Sequence, residues 1–199
     1  SELEYVLNKV SCVGLVIAPA FKTSDYQEIL CKIAPELCNS NEKILLSTRL
    51  PHLKHVIKIS DEQQGAIHRF SDLLLEPSAQ QLAQLEQLAS ELQFDETINI
   101  QFTSGTTGNP KGTMLTHNNI LNNGYFVGEA IRLTPQDRVC ISVPLFHCFG
   151  MVMGNLACIT HGSTMVYPAG VFNPLSSLQA IEQEKCTAAY GVPTMFIAM

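Results

Sequence analysis

Apolar residues recur at helical spacing from the start of the chain. Leu3, Val6, Leu7 and Val10 form one stripe, and the run Val13-Gly14-Leu15-Val16-Ile17 follows, closed by Ala18-Pro19. Steps of three and four predict an amphipathic helix, and a short continuous β-rich run ending at a proline predicts a buried strand. Thr23-Ser24-Asp25 offers side-chain acceptors for the N-terminus of a helix reaching about Ala34, and Val56-Ile57-Lys58-Ile59 reads as a second strand. Between residues 76 and 93, Leu82, Leu85, Leu88, Ala89 and Leu92 share a helix face, with Gln80, Gln84, Gln87 and Glu91 opposite, the pattern of a scaffold helix.

From Thr97 the texture changes. Ile98, Ile100 and Phe102 alternate into Thr103-Ser104-Gly105-Thr106-Thr107-Gly108-Asn109-Pro110-Lys111-Gly112, and Met114-Leu115 then reads as a short strand before a helix over about 118–131. Further strands are predicted at 137–143, 163–167 and 187–190, with helices at about 150–160 and 174–184. Helices alternating with short apolar strands predict an α/β fold of layered sheets with flanking helices. Gly150 and Gly154 form a GxxxG spacing, read here as close backbone packing.

Composition narrows the function classes. With 199 residues, 46% apolar and 15% charged, the chain can bury a core and is neither disordered nor a coiled coil. Twelve Lys and Arg against eighteen Asp and Glu leave a net charge of -6, the wrong sign for gripping a nucleic-acid backbone or an anionic membrane surface. Residues 1–96 carry the whole excess, eight basic and fourteen acidic, while 97–199 carry four of each. So few charges suit strands covered on both faces. The apolar run 139–159 is interrupted by Pro144, His147, Gly150, Gly154 and Asn155 and is not read as a membrane span. Seven cysteines without a CxxC pair suggest neither a disulfide framework nor a metal clip, and no metal-ligating set is assigned.

The run 103–112 holds the parts of a phosphate cradle. Glycines let successive N–H groups converge on an anion, hydroxyls add neutral donors, and Lys111 brings a mobile positive charge. It is not a Walker A loop, because Pro110 precedes the lysine where that motif has glycine and Gly112 follows where it has Ser or Thr. No GxGxxG follows a strand, so a Rossmann site has no support.

These ten residues resemble the signature loop of the acyl-adenylate-forming, AMP-binding enzymes, which include acyl-CoA synthetases, luciferases and peptide synthetases. His117-Asn118-Asn119-Ile120, Val143-Pro144-Leu145-Phe146-His147-Cys148-Phe149-Gly150 and Tyr190-Gly191-Val192-Pro193-Thr194-Met195 agree with that family, and Phe21-Lys22-Thr23-Ser24-Asp25-Tyr26 is similar to its medium-chain fatty acyl-CoA synthetases. The resemblance implies that a fatty acid carboxylate attacks the α-phosphate of ATP with Mg2+, releasing pyrophosphate, and that coenzyme A then takes the acyl group as a thioester. It implies phosphate contacts from Thr103, Ser104, Gly105, Thr106, Thr107, Gly108 and Lys111, with Lys111 stabilising the leaving pyrophosphate. His147 would lie beside the carboxylate and α-phosphate as the second catalytic residue, and Phe146, His147, Phe149, Gly150, Tyr190 and Gly191 would meet the acyl chain.

Measured against that family, 1–96 and 97–199 are expected to be the first part and the phosphate-loop and acyl-pocket part of one large AMP-binding domain, with the family's C-terminal domain expected to be absent. A Tyr-Gly-x-Thr-Glu stretch, whose glutamate would hold magnesium, is absent as well. The expectation is an internal piece of a ligase, inactive by itself, whose partners include the rest of its own polypeptide. Alternatives are an adenylating enzyme serving a carrier-protein thiol or a luciferase-like reaction, and a non-catalytic nucleotide-binding remnant. The expected compartment is cytoplasmic, with the mitochondrial matrix as the alternative for a chain that has lost a leader.

Overall fold

Glu2–Lys9 form α1, started by a capping box in which the Ser1 hydroxyl accepts the Glu4 N–H at 3.3 Å while the Glu4 side chain reaches back to Ser1. In the computed structural model, which describes residues 1–40, 42–62, 65–103 and 108–199, the chain divides into two units. One is drawn mainly from residues 1–90 and the other from Glu91–Thr103 and Gly112–Met199.

In the first unit the predicted strand is β1 (Gly14–Ile17), followed by a small antiparallel pair, β2 (Ala20–Phe21) and β3 (Ser24–Asp25), which the apolar pattern did not foretell. Asp25 caps α2 (Tyr26–Ile33) by accepting the Glu28 N–H at 2.9 Å, and α3 (Glu36–Asn39) follows one turn later. Strands β4 (His55–Lys58) and β5 (His68–Arg69) complete a parallel sheet in the order β1-β4-β5. Leu7, Leu30, Leu37, Leu50, Leu53, Val56 and Ile67 fill its core.

The cysteine reading needs correction here. Cys31 on α2 and Cys38 on α3 form a disulfide, because the turn at Ala34-Pro35 folds α3 back until the two Cα atoms are 5.9 Å apart. A separation of seven residues matches no short cysteine motif, so spacing alone could not reveal it. The other five cysteines are free thiols.

The predicted leucine helix is α4 (Ala79–Glu91), opened by a second capping box between Ser78 and Gln81. None of its residues is buried, so the Leu82, Leu85 and Leu88 face stays in solvent. Its Ala, Gln, Leu and Glu residues favour helix by themselves, which is why the helix forms without a packed partner face.

The second unit begins with a hydrogen-bonded pair of strands, β6 (Thr97–Thr103) and β7 (Lys111–Thr116), the latter six residues long rather than the predicted two. Thr116 and Asn119 form a reciprocal cap, at 3.1 and 3.0 Å, that starts α5 (His117–Ile131). After β8 (Arg138–Ile141) comes a π-helix at Phe149–Leu156 that passes into α6 (Ala157–His161). Strand β9 (Thr164–Val166), α7 (Pro174–Gln183), β10 (Ala188–Tyr190) and α8 (Pro193–Ala198) complete the unit. Only Gly191 and Val192 separate the end of β10 from Pro193, which opens α8.

The sheet order is β10-β8-β9 and every pairing is parallel, with Ile141 opposite Tyr190 and Val139 opposite Met165. Val139, Cys140 and Ile141 are all buried, the two-sided cover that the charge-poor sequence implies for a central strand. The sheet is pinned at its amino edge. Asp137 accepts the Thr134 hydroxyl and N–H at 2.8 and 2.7 Å and the Thr187 hydroxyl at 2.7 Å, so one carboxylate ties the start of β8 to the start of β10. Those hydrogen bonds hold its pKa below the usual 3.8.

Candidate functional site

Strands β8 and β10 run side by side in the same direction, so the residues after Ile141 and Tyr190 leave the sheet at one edge. Two motifs nearly fifty residues apart in sequence, 143–150 and 190–195, are thereby brought together at the carboxyl ends of adjacent parallel strands. β8 is the central strand, with β9 from its own crossover on one side and β10 from the next crossover on the other. In open α/β sheets this is the place where a ligand crevice forms.

The geometry after β8 is fixed by backbone. The His147 N–H donates to the Pro144 carbonyl at 3.2 Å and the Met151 N–H to the His147 carbonyl at 3.0 Å, closing a turn that leads into the π-helix. Gly150 is buried inside that turn, where a Cβ would overlap the Pro144 carbonyl oxygen. Gly154 packs on Ile141. The GxxxG spacing thus marks close approach within this unit.

His147 is exposed, and its Nδ1 accepts the Phe149 N–H at 3.1 Å. That bond fixes the ring and leaves Nε2 as the nitrogen that carries a proton and faces outward in the neutral form. The Cys148 thiol lies 3.6 Å from the same Nδ1. Phe149 is drawn inward, edge-on to the Tyr190 ring at 5.7 Å and packed against the core, whereas Phe146 is 80% exposed. Gly191 lies under the Phe196 ring of α8, 3.1 Å from where a Cβ would sit.

The Tyr190 hydroxyl is buried with no hydrogen-bond partner among the described residues. Burial, helped by the nearby Cys158 thiol, pushes its pKa up to about 12, so it stays a neutral donor.

Strand β6 contributes residues that the sequence pattern did not single out. Gln101 donates to the Phe146 carbonyl at 3.0 Å, and the Asn99 amide contacts the Met151 sulfur at 3.9 Å. The signal was present as period-two alternation, since Asn99 and Gln101 fall between Ile98, Ile100 and Phe102. The apolar partners Ile100 and Phe102 lie against Gly112 of β7.

Of the predicted phosphate-binding residues, Thr103 closes β6, Lys111 opens β7 and is exposed, and Gly108 adopts φ +106, a backbone conformation that glycine alone reaches without strain. Ser104, Gly105, Thr106 and Thr107 lie outside the described residues. A separate cleft of about 480 Å³ opens in the second unit, walled by Leu115 of β7, by Asn119, Ile120 and Asn123 of α5, and by Cys148, Val152 and Met153 at the π-helix. Phe146, His147, Phe149, Gly150, Tyr190 and Gly191 are not part of its wall.

Magnesium finds no carboxylate cradle among these residues. In the second unit Asp137 is held by Thr134 and Thr187, Glu129 by His161 and Glu184 by Arg138, and the described residues contain no group of three metal-ligating side chains. No helix among the described residues is long and apolar enough to cross a membrane.

Comparison with known proteins agrees with this architecture. The family model described as AMP-binding enzyme matches residues 1–199. The mitochondrial medium-chain acyl-CoA ligase ACSF2 of Danio rerio is 42% identical over 200 residues, covering 100% of this chain and 33% of that protein. The acyl-CoA ligase SID4 of Ajellomyces capsulatus is 41% identical over 203 residues, covering 100% of this chain and 32% of its own length. The chain therefore spans about a third of these relatives. Among solved structures, the anthranilate CoA ligase AuaEII in complex with anthranoyl-AMP shares the fold, with a TM-score of 0.70 at 22% identity over 99% of this chain and 34% of that one. Loop, strand order and family match converge, and the chain belongs to the AMP-binding enzyme family.

Proposed function

We propose that this chain supplies the phosphate loop and the carboxylate end of the acid site of an ATP-dependent fatty acid–CoA ligase. The observation that carries the reading is the emergence of the 143–150 and 190–195 motifs at one carboxyl edge, in a chain that also holds the ten-residue loop 103–112. The acid carboxylate attacks the α-phosphate of ATP, the bond to the β-phosphate breaks, and pyrophosphate leaves. Coenzyme A thiolate then attacks the acyl carbonyl of the adenylate, giving the thioester and AMP.

In this scheme the chain works by positioning and charge rather than by covalent chemistry. Lys111 neutralises charge on the departing pyrophosphate, and the glycines and hydroxyls of the loop admit and hold the phosphates. The outward Nε2–H of His147, fixed by the bond at Nδ1, donates toward the oxygens of the carboxylate and α-phosphate. Tyr190 supports Phe149 and so holds the turn that aims His147.

Turnover belongs to a polypeptide of the relatives' length, and the chain alone is expected to be inactive. The compartment we favour is the cytoplasm, with the mitochondrial matrix as the alternative, in line with the mitochondrial Danio rerio relative. The test is to incubate the full-length polypeptide with ATP, magnesium and a fatty acid, without coenzyme A, and to look for the acyl-adenylate by mass spectrometry. Accumulation of adenylate supports the ligase reading. ATP hydrolysis that ignores the acid contradicts it.

A further inference from the structure

In the first unit, adjacent strands bring two histidines together on one face of the sheet. β4 pairs with β5 so that Ile57 lies opposite His68, and His55, two residues before Ile57, shares that face. Val56 and Lys58, which alternate with them, are buried, whereas His55 is exposed and His68 half-buried. The ring centroids are 5.4 Å apart and the planes are tilted by 55°, so the rings meet through nitrogens rather than faces, with His55 Nδ1 3.4 Å from His68 Nε2. We propose that this pair binds a divalent transition-metal ion of the zinc type, with the Lys43 carbonyl oxygen as third donor. The proposal is independent of the ligase reading.

The spacing of the nitrogens carries the argument. Two imidazole nitrogens on one zinc ion each stand about 2.0–2.1 Å from it, and a tetrahedral angle at the metal then separates them by about 3.3–3.4 Å. The observed 3.4 Å is that separation, and it is longer than the usual N–H hydrogen bond of about 2.9–3.0 Å. The His68 Nε2 proton is committed elsewhere. Nε2 lies 2.9 Å from the Lys43 carbonyl, and because a carbonyl can only accept, this nitrogen is the donor. His55 Nδ1 therefore turns its lone pair toward His68 Nε2 with no other donor among the described residues.

Two imidazole nitrogens and one carbonyl oxygen suit zinc, nickel or copper, whereas calcium and magnesium require an oxygen set that is not present here. On binding, the His68 proton moves from Nε2 to Nδ1 through solvent, so both rings coordinate as neutral imidazoles. Solvent fills the remaining positions, since His55 is exposed. The neighbouring cations are occupied. The Lys43 ammonium donates to the Ile67 carbonyl at 3.0 Å, and Arg69 is paired with Asp72. The β4–β5 ladder is short, with Ile57 opposite His68 and Lys58 opposite Arg69, so an ion bridging His55 and His68 ties β5 to the rest of its sheet.

The test needs no turnover. The full-length protein, stripped with EDTA and then given Mg2+ alone or Mg2+ with Zn2+, would be treated with diethyl pyrocarbonate, and modification of each histidine followed by peptide mass spectrometry. Zn2+ should slow the reaction of His55 and His68 together several-fold and leave the exposed His52 unchanged. No protection overturns the proposal, as does protection of one of the two alone or protection that extends equally to His52. In parallel, His55→Ala should abolish the zinc protection of His68, and His68→Ala that of His55. A variant with the wild-type circular dichroism spectrum whose remaining histidine is still protected overturns the shared site. The wild-type footprint decides the proposal even where a variant fails to fold.

Discussion

At the scale of single residues, the candidate site joins groups that sequence made visible to groups that only folding reveals. Lys111 stands out because a lysine behind a glycine- and hydroxyl-rich run has few other uses, and His147 because of the motif around it. The bond from the Phe149 N–H to His147 Nδ1, the Tyr190 hydroxyl buried without a hydrogen-bond partner among the described residues, and the Gln101 contact to Phe146 depend on backbone geometry that no spacing encodes. In the full-length enzyme, Lys111→Ala should slow adenylate formation by about 10²-fold, the usual loss when one charge-stabilising donor is removed, while acid binding persists. An unchanged single-turnover rate removes Lys111 from the mechanism. Asp137 carries a pH dependence. Its folded pKa lies below the usual 3.8, so its stabilising contribution is fully present above that value and is lost as pH falls through the lowered one. Acid unfolding of Asp137→Asn should show less of this loss than the wild type. Superimposable acid transitions would mean that the clamp between β8 and β10 contributes nothing.

At the scale of elements, strands and helices with strong periodicity were legible to within a few residues, as at α1, α2, α5, β8, β9, α7 and β10. What escaped follows local chemistry rather than period. The pair β2 and β3 is two residues per strand, α8 is a single proline-started stretch, and the π-helix differs from an α-helix by one residue in its hydrogen-bond spacing. The link between Cys31 and Cys38 needed the fold of α3 against α2. The π-helix begins on a turn with no spare volume, so Gly150→Ala should destabilise the second unit by about 1–3 kcal/mol, the cost of overpacking. Gly154→Ala should cost less, because its neighbour is the movable side chain of Ile141 rather than backbone. Equal thermal midpoints for the two variants would contradict that ordering.

At the scale of the whole molecule, the described residues leave apolar surface uncovered. Leu85 of α4, Phe94, Met114 of β7 and Phe126 of α5 are each 64% exposed or more, and the leucine face of α4 has no buried residue. Patches of this kind seek partners. The isolated chain is expected to self-associate with rising concentration in sedimentation velocity, and a sharp monomer boundary at high concentration would count against it. The central claim is that the loop and the paired motifs bring ATP and an acid carboxylate together. Its most direct test is isotope exchange between pyrophosphate and ATP in a polypeptide of the relatives' length, with and without a fatty acid. Exchange that appears only with the acid is the predicted result. Exchange indifferent to the acid, or none at all in a folded protein that binds ATP, would contradict the account.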